Sequence, residues 1–278
     1  VLEERWSGAT LSEAMRRGLV ARIAPGQYAH RDHVGDVSCR LRAVRTWMAP
    51  HGAVSGLAGL WLRGWRVVRP ERIDVTLPRD IRLSRPPYVD TFRTDDEVAR
   101  VVIAGTPTVS AEDAALMVWR RARPESRRGL LLDVLRDGPV EARALPARID
   151  ATRRLPDRAG LLKVVALARE GVQSMLEFIA ATEVFHGPEW REWERQAPVR
   201  AGHAVLHPDM VHRAGSVAIE LDSARYHSDD QQRRRDIERD ALLASVGFIV
   251  IRLTWEDVTR RPDWCRERAR QALRARRT

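Results

Sequence analysis

The stretch Pro208-Asp209-Met210-Val211-His212-Arg213-Ala214-Gly215-Ser216-Val217-Ala218-Ile219-Glu220-Leu221-Asp222 reads as a β-hairpin. Val217, Ile219 and Leu221 recur with the period of a half-buried strand, and Ala214-Gly215 supplies a two-residue turn. With that turn, Arg213 faces Ser216 and Asp209 faces Glu220. Directly opposed side chains stand about 4.5–5.5 Å apart at Cβ. Asp222 follows Glu220 by two and shares its face. Three carboxylates on one sheet face repel unless something cationic sits among them. A divalent metal ion is one answer, and phosphodiester hydrolysis is a common use for it. Ion pairing with Arg225, Arg233, Arg234, Arg235 or Arg239 is another, and spacing and charge leave both open.

The surrounding pattern extends the hairpin into a larger order of elements. Ser174 to Val184 reads as a helix with Met175, Phe178, Ile179 and Thr182 on one face, ended by His186-Gly187-Pro188. Trp193 to Val205 holds an extended stretch. Ser228-Asp229-Asp230-Gln231 reads as a capping box opening a helix to about Val246, with Gly247 as its cap. Phe248 to Leu253 is a buried strand. The order from residue 170 is α-β-β-β-α-β within an α/β (α+β) fold.

Upstream, Thr10-Leu11-Ser12-Glu13 reads as a capping box with Thr10 as N-cap. The short helix ends at Gly18, and Leu19–Ala24, Pro25-Gly26 and Gln27–Ala29 form strand, turn and strand. Helix and hairpin together are the tail end of a winged helix-turn-helix. They place Arg16, Arg17 and Arg22 within reach of phosphates or, equally, in a solvated helix-hairpin piece. Val37–Met48 and Ala53–Leu62 read as helices, Arg72–Pro78 and Val101–Ala104 as strands, with a helix starting near Ser110. Buried packing is the expected role of Trp61 and Trp65. The basic run Arg120–Arg128 contains Pro124 and reads as a helix end or loop that could touch a phosphate backbone. From Leu130 to Ala168 the pattern is helical, broken at Gly138-Pro139 and Leu155-Pro156. A domain boundary is expected between residues 150 and 165, giving domains of 1–160 and 161–278.

The chain has 278 residues, is 44% hydrophobic and 31% charged, and carries a formal net charge of +10. This is a globular composition, with enough chain for two domains. Lys163 is the only lysine, so arginine carries nearly all the positive charge. A basic surface attracts polyanions, which makes DNA the expected partner. Cys39 and Cys265 permit one disulfide but provide neither a disulfide framework nor a CxxC metal motif. No apolar run is long enough for a bilayer and no signal-peptide core opens the chain, so no membrane partner and a cytoplasmic location are expected. Val1 suggests a GUG start or a truncated chain. Oligomeric state is not legible.

Pro208-Asp209, Glu220-Leu221-Asp222, Tyr226-His227, Arg235-Asp236, Arg239-Asp240-Ala241-Leu242-Leu243 and Gly247–Trp255 together resemble the DUF559 family. That family belongs to the PD-(D/E)xK nuclease superfamily and is related to the very-short-patch repair endonuclease. The resemblance covers about residues 170–262, and the superfamily core has the α-β-β-β-α-β order. It implies Mg²⁺-dependent (or Mn²⁺-dependent) hydrolysis of a DNA phosphodiester. Asp209 takes the place of the motif aspartate and Glu220 that of the (D/E). Glu177 is similar to the helical glutamate that many members add to the metal site, and reads otherwise as a solvated helix residue. His227 would orient a water or the scissile phosphate, or is a plain polar strand-end residue. The lysine position is Asp222, which would then be a further ligand or a base, unless the site is inactive. Ser223 stands where the family usually has glycine. Asp236 and Arg239 match spaced family positions, and Arg235 and Arg239 share a helix face that could clamp a phosphate, or pair with Asp236 or Asp240.

The N-terminal half is similar to AbiEi-type antitoxins through Arg22–Tyr28 and Gly52–Ala58. That similarity implies a second function: a non-catalytic DNA-binding regulator or antitoxin of a type IV toxin–antitoxin system, with a toxin as partner.

Overall fold

The computed structural model describes residues 6–95, 99–222 and 230–276, without the side chains of residues 230–233, 235 and 236. The chain divides into two compact units, Val1–Leu161 and Leu162–Thr278.

The N-terminal unit begins with helix α1 (Gly8–Arg16). Its N-cap is Ser7, whose Oγ accepts from the Thr10 amide at 3.1 Å, not Thr10 as the capping-box pattern suggests. Ser7 satisfies the same orphan amides one turn earlier, so Thr10 is helical. Strands β1 (Val20–Ala24) and β2 (Gln27–His30) form the expected antiparallel hairpin. Helix α2 (Val37–Met48) buries Leu41, Val44 and Met48. Ala53–Ser55 is strand β3, and helix α3 (Gly56–Leu62) starts only after it. The single helix expected over 53–62 is therefore divided. Gly56 has φ +58, and a Cβ there would meet Asp74 Oδ2 at 2.5 Å, so the chain turns sharply where only glycine fits.

Strands β4 (Ile73–Pro78), β5 (Val89–Thr94), β6 (Arg100–Ile103) and β7 (Thr106–Val109) join β3 in a five-stranded mixed sheet of order β5-β4-β3-β7-β6. Helices α4 (Ala111–Arg121), α5 (Arg127–Asp137) and α6 (Leu145–Ala151) follow. Ser110 caps α4, and Trp119 is fully buried. Within the basic run, Arg127 is buried with its guanidinium 5.2 Å from the Trp119 ring, so it packs and is not a free surface charge. Trp65 is buried as expected, while Trp61 is half-buried beneath Arg66. Helix α7 (Arg158–Arg169) contains the boundary between the units.

The C-terminal unit opens with helix α8 (Met175–Ile179), continued by a π turn over Ala180–Val184. The wider turn moves the buried face to Leu176, Phe178, Ala180 and Val184, whereas Met175, Ile179 and Thr182 are only half-buried. The expected extended stretch is three short strands: β8 (Trp193–Arg195), β9 (Val199–Ala201) and β10 (Ala204–Leu206). β9 and β10 pair as a separate hairpin. β11 (Met210–His212), β12 (Val217–Asp222), helix α9 (Asp230–Ser245) and β13 (Ile249–Thr254) complete the core. Helices α10 (Trp255–Arg260) and α11 (Pro262–Ala275) follow.

The main sheet has the order β13-β12-β11-β8. β12 and β13 are parallel and joined through α9, while β11 is antiparallel to both neighbours. Alternation gives each sheet face its own core. Val217, Ile219 and Leu253 pack with Leu176, Phe185, Val258 and Cys265 on one face. Val211 and Ala218 pack with Val199 and Leu243 of α9 on the other. Cys39 and Cys265 are both buried free thiols, and burial pushes the Cys265 thiol up to about 11. Among the described residues no helix is long and apolar enough to cross a membrane.

Candidate active site in the C-terminal unit

The hairpin register is Met210 to Ile219, Val211 to Ala218 and His212 to Val217. One further step sets Asp209 opposite Glu220, as the two-residue turn requires. Two neighbouring pairings extend the row across the whole sheet. Met210 lies opposite Arg195, so Gln196 stands beside Asp209, and its amide donates to the Asp209 carbonyl at 3.3 Å. Glu220 pairs with Arg252 on β13. Gln196 just past β8, Asp209 just before β11, Glu220 on β12 and Arg252 on β13 thus form one polar row on the face covered by α9.

Each member of the row is held by a specific contact. Asp209 Oδ2 accepts from the Leu221 amide at 2.6 Å, and Oδ1 accepts from Gln196 Nε2 at 2.7 Å. The same Gln196 amide lies 3.5 Å from Glu177 Oε2, which also accepts from the Gln173 amide at 3.0 Å. Gln196 therefore bridges Asp209 and Glu177. Its φ is +49, a left-handed conformation that a non-glycine residue adopts at some cost. Glu220 Oε1 accepts from Arg239 Nε at 2.8 Å, and a second Arg239 nitrogen donates to the His207 carbonyl. Asp240, the next residue on α9, binds Arg252 through two hydrogen bonds of 2.8 Å.

Burial raises the pKa of Asp209, Glu220 and Glu177 above the usual carboxylate range. For Asp209 the Leu221 amide and the Gln196 side chain oppose that rise. For Glu220 the Arg239 hydrogen bond opposes it, while the Asp209 charge adds to it. For Glu177 the charge on Asp209 is the second cause. These three acids sense one another, yet among the described residues no three His, Cys, Asp or Glu side chains are grouped to hold a metal ion.

Asp222 is half-buried at the end of β12, opposite Thr254. His227 and Arg225 lie outside the described residues, as does Ser228 of the expected capping box. Arg235 lies on α9, but its side chain and that of Asp236 are outside the described residues. Arg239 takes the ion-pair alternative toward Glu220, and Asp240 pairs with Arg252, not with Arg239. Arg16 and Arg17 are exposed on α1 and both pair with Glu13, while Arg22 donates to the Ala24 carbonyl at 3.4 Å. The sequence reading missed two members of the row. Gln196 precedes Ala197-Pro198 and looks like loop, and Arg252 sits inside an apolar strand run. Only the combined register of four strands brings them to the carboxylates.

The restriction-endonuclease-like family REase_MTES_1575 matches residues 182–273, a span that contains the whole row but not Glu177 on α8. No curated protein matches the chain in sequence. The chain is also similar to the crystal structure of the Rv2827c protein from Mycobacterium tuberculosis, at 17% identity and a TM-score of 0.41, over 71% of this chain and 78% of that one. The C-terminal domain is restriction-endonuclease-like.

Proposed function

We propose that the C-terminal domain is a metal-dependent deoxyribonuclease that hydrolyses DNA phosphodiester bonds. The observation that carries this reading is the adjacency of Asp209 and Glu220, two desolvated carboxylates at neighbouring positions of the sheet, with Arg239 of α9 bound to Glu220. Their hard oxygen donors suit Mg²⁺ or Mn²⁺. Mg²⁺ in phosphoryl-transfer sites takes one or two carboxylates and completes its shell with water and phosphate, so a third protein ligand is not required. Asp209 and Glu220 would hold the divalent cation, which would supply charge neutralisation on the phosphodiester and an acidified water.

The chain's own residues do the positioning. The Leu221 amide and Gln196 fix both oxygens of Asp209, which keeps the carboxylate oriented before any ligand arrives. Gln196 also ties Glu177 to the pair, and Glu177 is the candidate third carboxylate. Arg239 neutralises Glu220, and if Glu220 held a cation its guanidinium would suit a phosphate oxygen pair. Asp222 occupies the lysine position of the superfamily motif and is assigned as a further ligand or base, with His227 orienting water or phosphate. DNA is the proposed substrate, with Arg235 and the basic N-terminal unit, through Arg16, Arg17 and Arg22, contributing backbone contacts.

Incubation of the full chain with supercoiled and linear DNA in Mg²⁺, Mn²⁺ or EDTA tests this. Metal-dependent nicking, lost in Asp209→Ala and Glu220→Ala, is expected. Absence of cleavage under all conditions, with metal-independent and salt-sensitive DNA binding, would favour the second reading. In that reading the protein is a cytoplasmic DNA-binding regulator or antitoxin, with a toxin as partner, that keeps the nuclease fold. The specific observation in its favour is the Arg239–Glu220 pair, which already satisfies the carboxylate without a metal.

A further inference from the structure

A second concentration of charge lies in the N-terminal unit, where arginines from distant parts of the sequence converge on one cleft. The cleft encloses about 180 Å³ and opens to solvent, and its walls include Arg79, Arg93, Asp95, Arg120, Arg153 and Arg154. That is below the roughly 300–1,000 Å³ of sites that enclose a drug-sized ligand, so the cleft suits a phosphate group of a ligand rather than a whole one. β5 contributes Phe92 and Arg93, the end of α4 contributes Arg120, and the segment after α6 contributes Arg153 and Arg154.

Among the described residues the cleft is only partly neutralised from within. Arg79 is paired with Asp95, its Nε lying 2.7 Å from both carboxylate oxygens. Arg93, Arg120, Arg153 and Arg154 have no carboxylate partner among the described residues. Arg93 donates only to the Ile81 carbonyl at 3.3 Å, and Arg120 only to the Arg154 carbonyl at 2.8 Å. Arg120 is stacked on the Phe92 ring, 4.4 Å from its centroid, so its plane is fixed while several N–H donors stay open. Burial holds Arg120 below the usual arginine range, with the neighbouring Arg121 charge acting in the same direction. Arg154 has φ +55, a left-handed backbone conformation in the segment that carries two of the arginines.

Like charges converging on a cleft repel, and among the described residues Asp95, already bound to Arg79, is the one carboxylate in its walls. Elsewhere in the chain arginines are paired repeatedly, as in Arg72–Asp90, Arg148–Asp113 and Arg158–Asp150, so an unanswered group is a departure from the local pattern. Rigid guanidinium forks without carboxylates are suited to phosphate oxygens, which they bind bidentately. We propose that this cleft is a phosphate-binding site, distinct from the carboxylate row, that takes a phosphate-bearing ligand: either a nucleic-acid backbone or a free nucleotide. The inference does not rest on cleavage, because its residues lie in the N-terminal unit and need no metal.

The test uses the full chain in EDTA, so that binding is read without hydrolysis. Three probes are titrated: inorganic pyrophosphate and ATP by calorimetry, and a fluorescently labelled DNA duplex by anisotropy. The variants are Arg153→Glu and Arg93→Gln, with Arg42→Glu on an exposed position of α2 as control. Arg153 is exposed, so its substitution leaves the core intact, and circular dichroism checks folding. If the cleft holds a nucleic-acid backbone, Arg153→Glu weakens duplex binding by about tenfold or more and lowers the salt slope by about one, while Arg42→Glu changes either far less. If it holds a free nucleotide, ATP or pyrophosphate binds, Arg153→Glu abolishes that binding, and duplex affinity is unchanged. Either outcome supports a phosphate site. The proposal is overturned if neither pyrophosphate nor ATP binds and Arg153→Glu and Arg93→Gln affect duplex binding no more than Arg42→Glu does. Failure of nuclease activity leaves all three readouts intact, so the two proposals fail separately.

Discussion

Each unit places two acids side by side on neighbouring strands, and each resolves the repulsion differently. In the N-terminal unit Asp74 on β4 pairs in register with Asp90 on β5. Arg121 donates to Asp74 at 3.0 Å, while Arg72 and Arg85 both bind Asp90. Three arginines thus answer two acids, and the Arg72 hydrogen bonds hold Asp90 below the usual carboxylate range. In the C-terminal unit Glu220 is bound by Arg239 and Asp209 by the neutral Gln196 and Leu221 donors, while Arg252, bound by Asp240, acts on both acids through its charge. Burial raises both pKa values there, as it raises that of Asp74. Two acids on one sheet face therefore do not define a metal site. What distinguishes the second pair is its ion pairing: in the first pair each acid is bound by an arginine, whereas Asp209 is held by neutral donors, which leaves a place for an outside cation.

The largest expected effect tests that distinction at its centre. Asp209→Ala should lower metal-dependent DNA cleavage by more than about a hundredfold, as loss of a ligand exceeds the loss of a supporting contact. Asp90→Ala should leave cleavage within about twofold, an estimate that treats distant sites as independent. A plasmid-nicking assay with both variants checks the pair, and equal losses would break the comparison.

Asp74 tests the saturated pair through pH. Burial pushes its pKa up to about 6 from an ordinary 3.8, with Arg121 opposing the rise. A carboxylate raised on folding binds more protons in the native state, so stability is lost as pH rises from about 4 to about 6. At 1.36 kcal/mol per unit the loss is on the order of 3 kcal/mol. Asp74→Asn should flatten the dependence of the denaturation midpoint across that window, and an unchanged slope would count against it.

Arg252→Met removes the partner of a half-buried Asp240 and should destabilise the chain by about 1–3 kcal/mol, read as a shift of the urea midpoint. The smallest effect is expected from Gln196→Leu. The Gln196 hydrogen bond lowers the Asp209 pKa, so its loss moves that pKa higher. The acidic limb of the pH–rate profile should then shift toward higher pH, while the alkaline limb stays in place. A shift toward lower pH would exclude Gln196 as the group that positions Asp209.

The hairpin register was legible because a two-residue turn and a two-residue period leave one alignment for Asp209 and Glu220. β4 and β13 were legible for the same reason, as runs of β-branched residues bounded by turns. The division at Ser55–Gly56 was not, because Ala53-Val54-Ser55 suits helix and strand alike and the left-handed glycine is set by Asp74 behind it. Among the arginines offered as counter-ions, the sequence could not select Arg239, since helix phase relative to the sheet is set by packing of Leu243 on Val211 and Ala218. Of the arginine cleft only Arg120, in the basic run Arg120–Arg128, was legible. The cleft's walls come from residues 79 to 154, including β5, which carries no clear alternation.

Helix α9 connects β12 to β13 and binds both of them through consecutive residues. Arg239 reaches back to Glu220 on the strand before it, and Asp240 reaches forward to Arg252 on the strand after it. The two contacts sit on adjacent residues of one helical turn. The connecting helix is thus clasped at one height to both of the parallel strands that it joins, and the carboxylate row lies directly beneath the clasp.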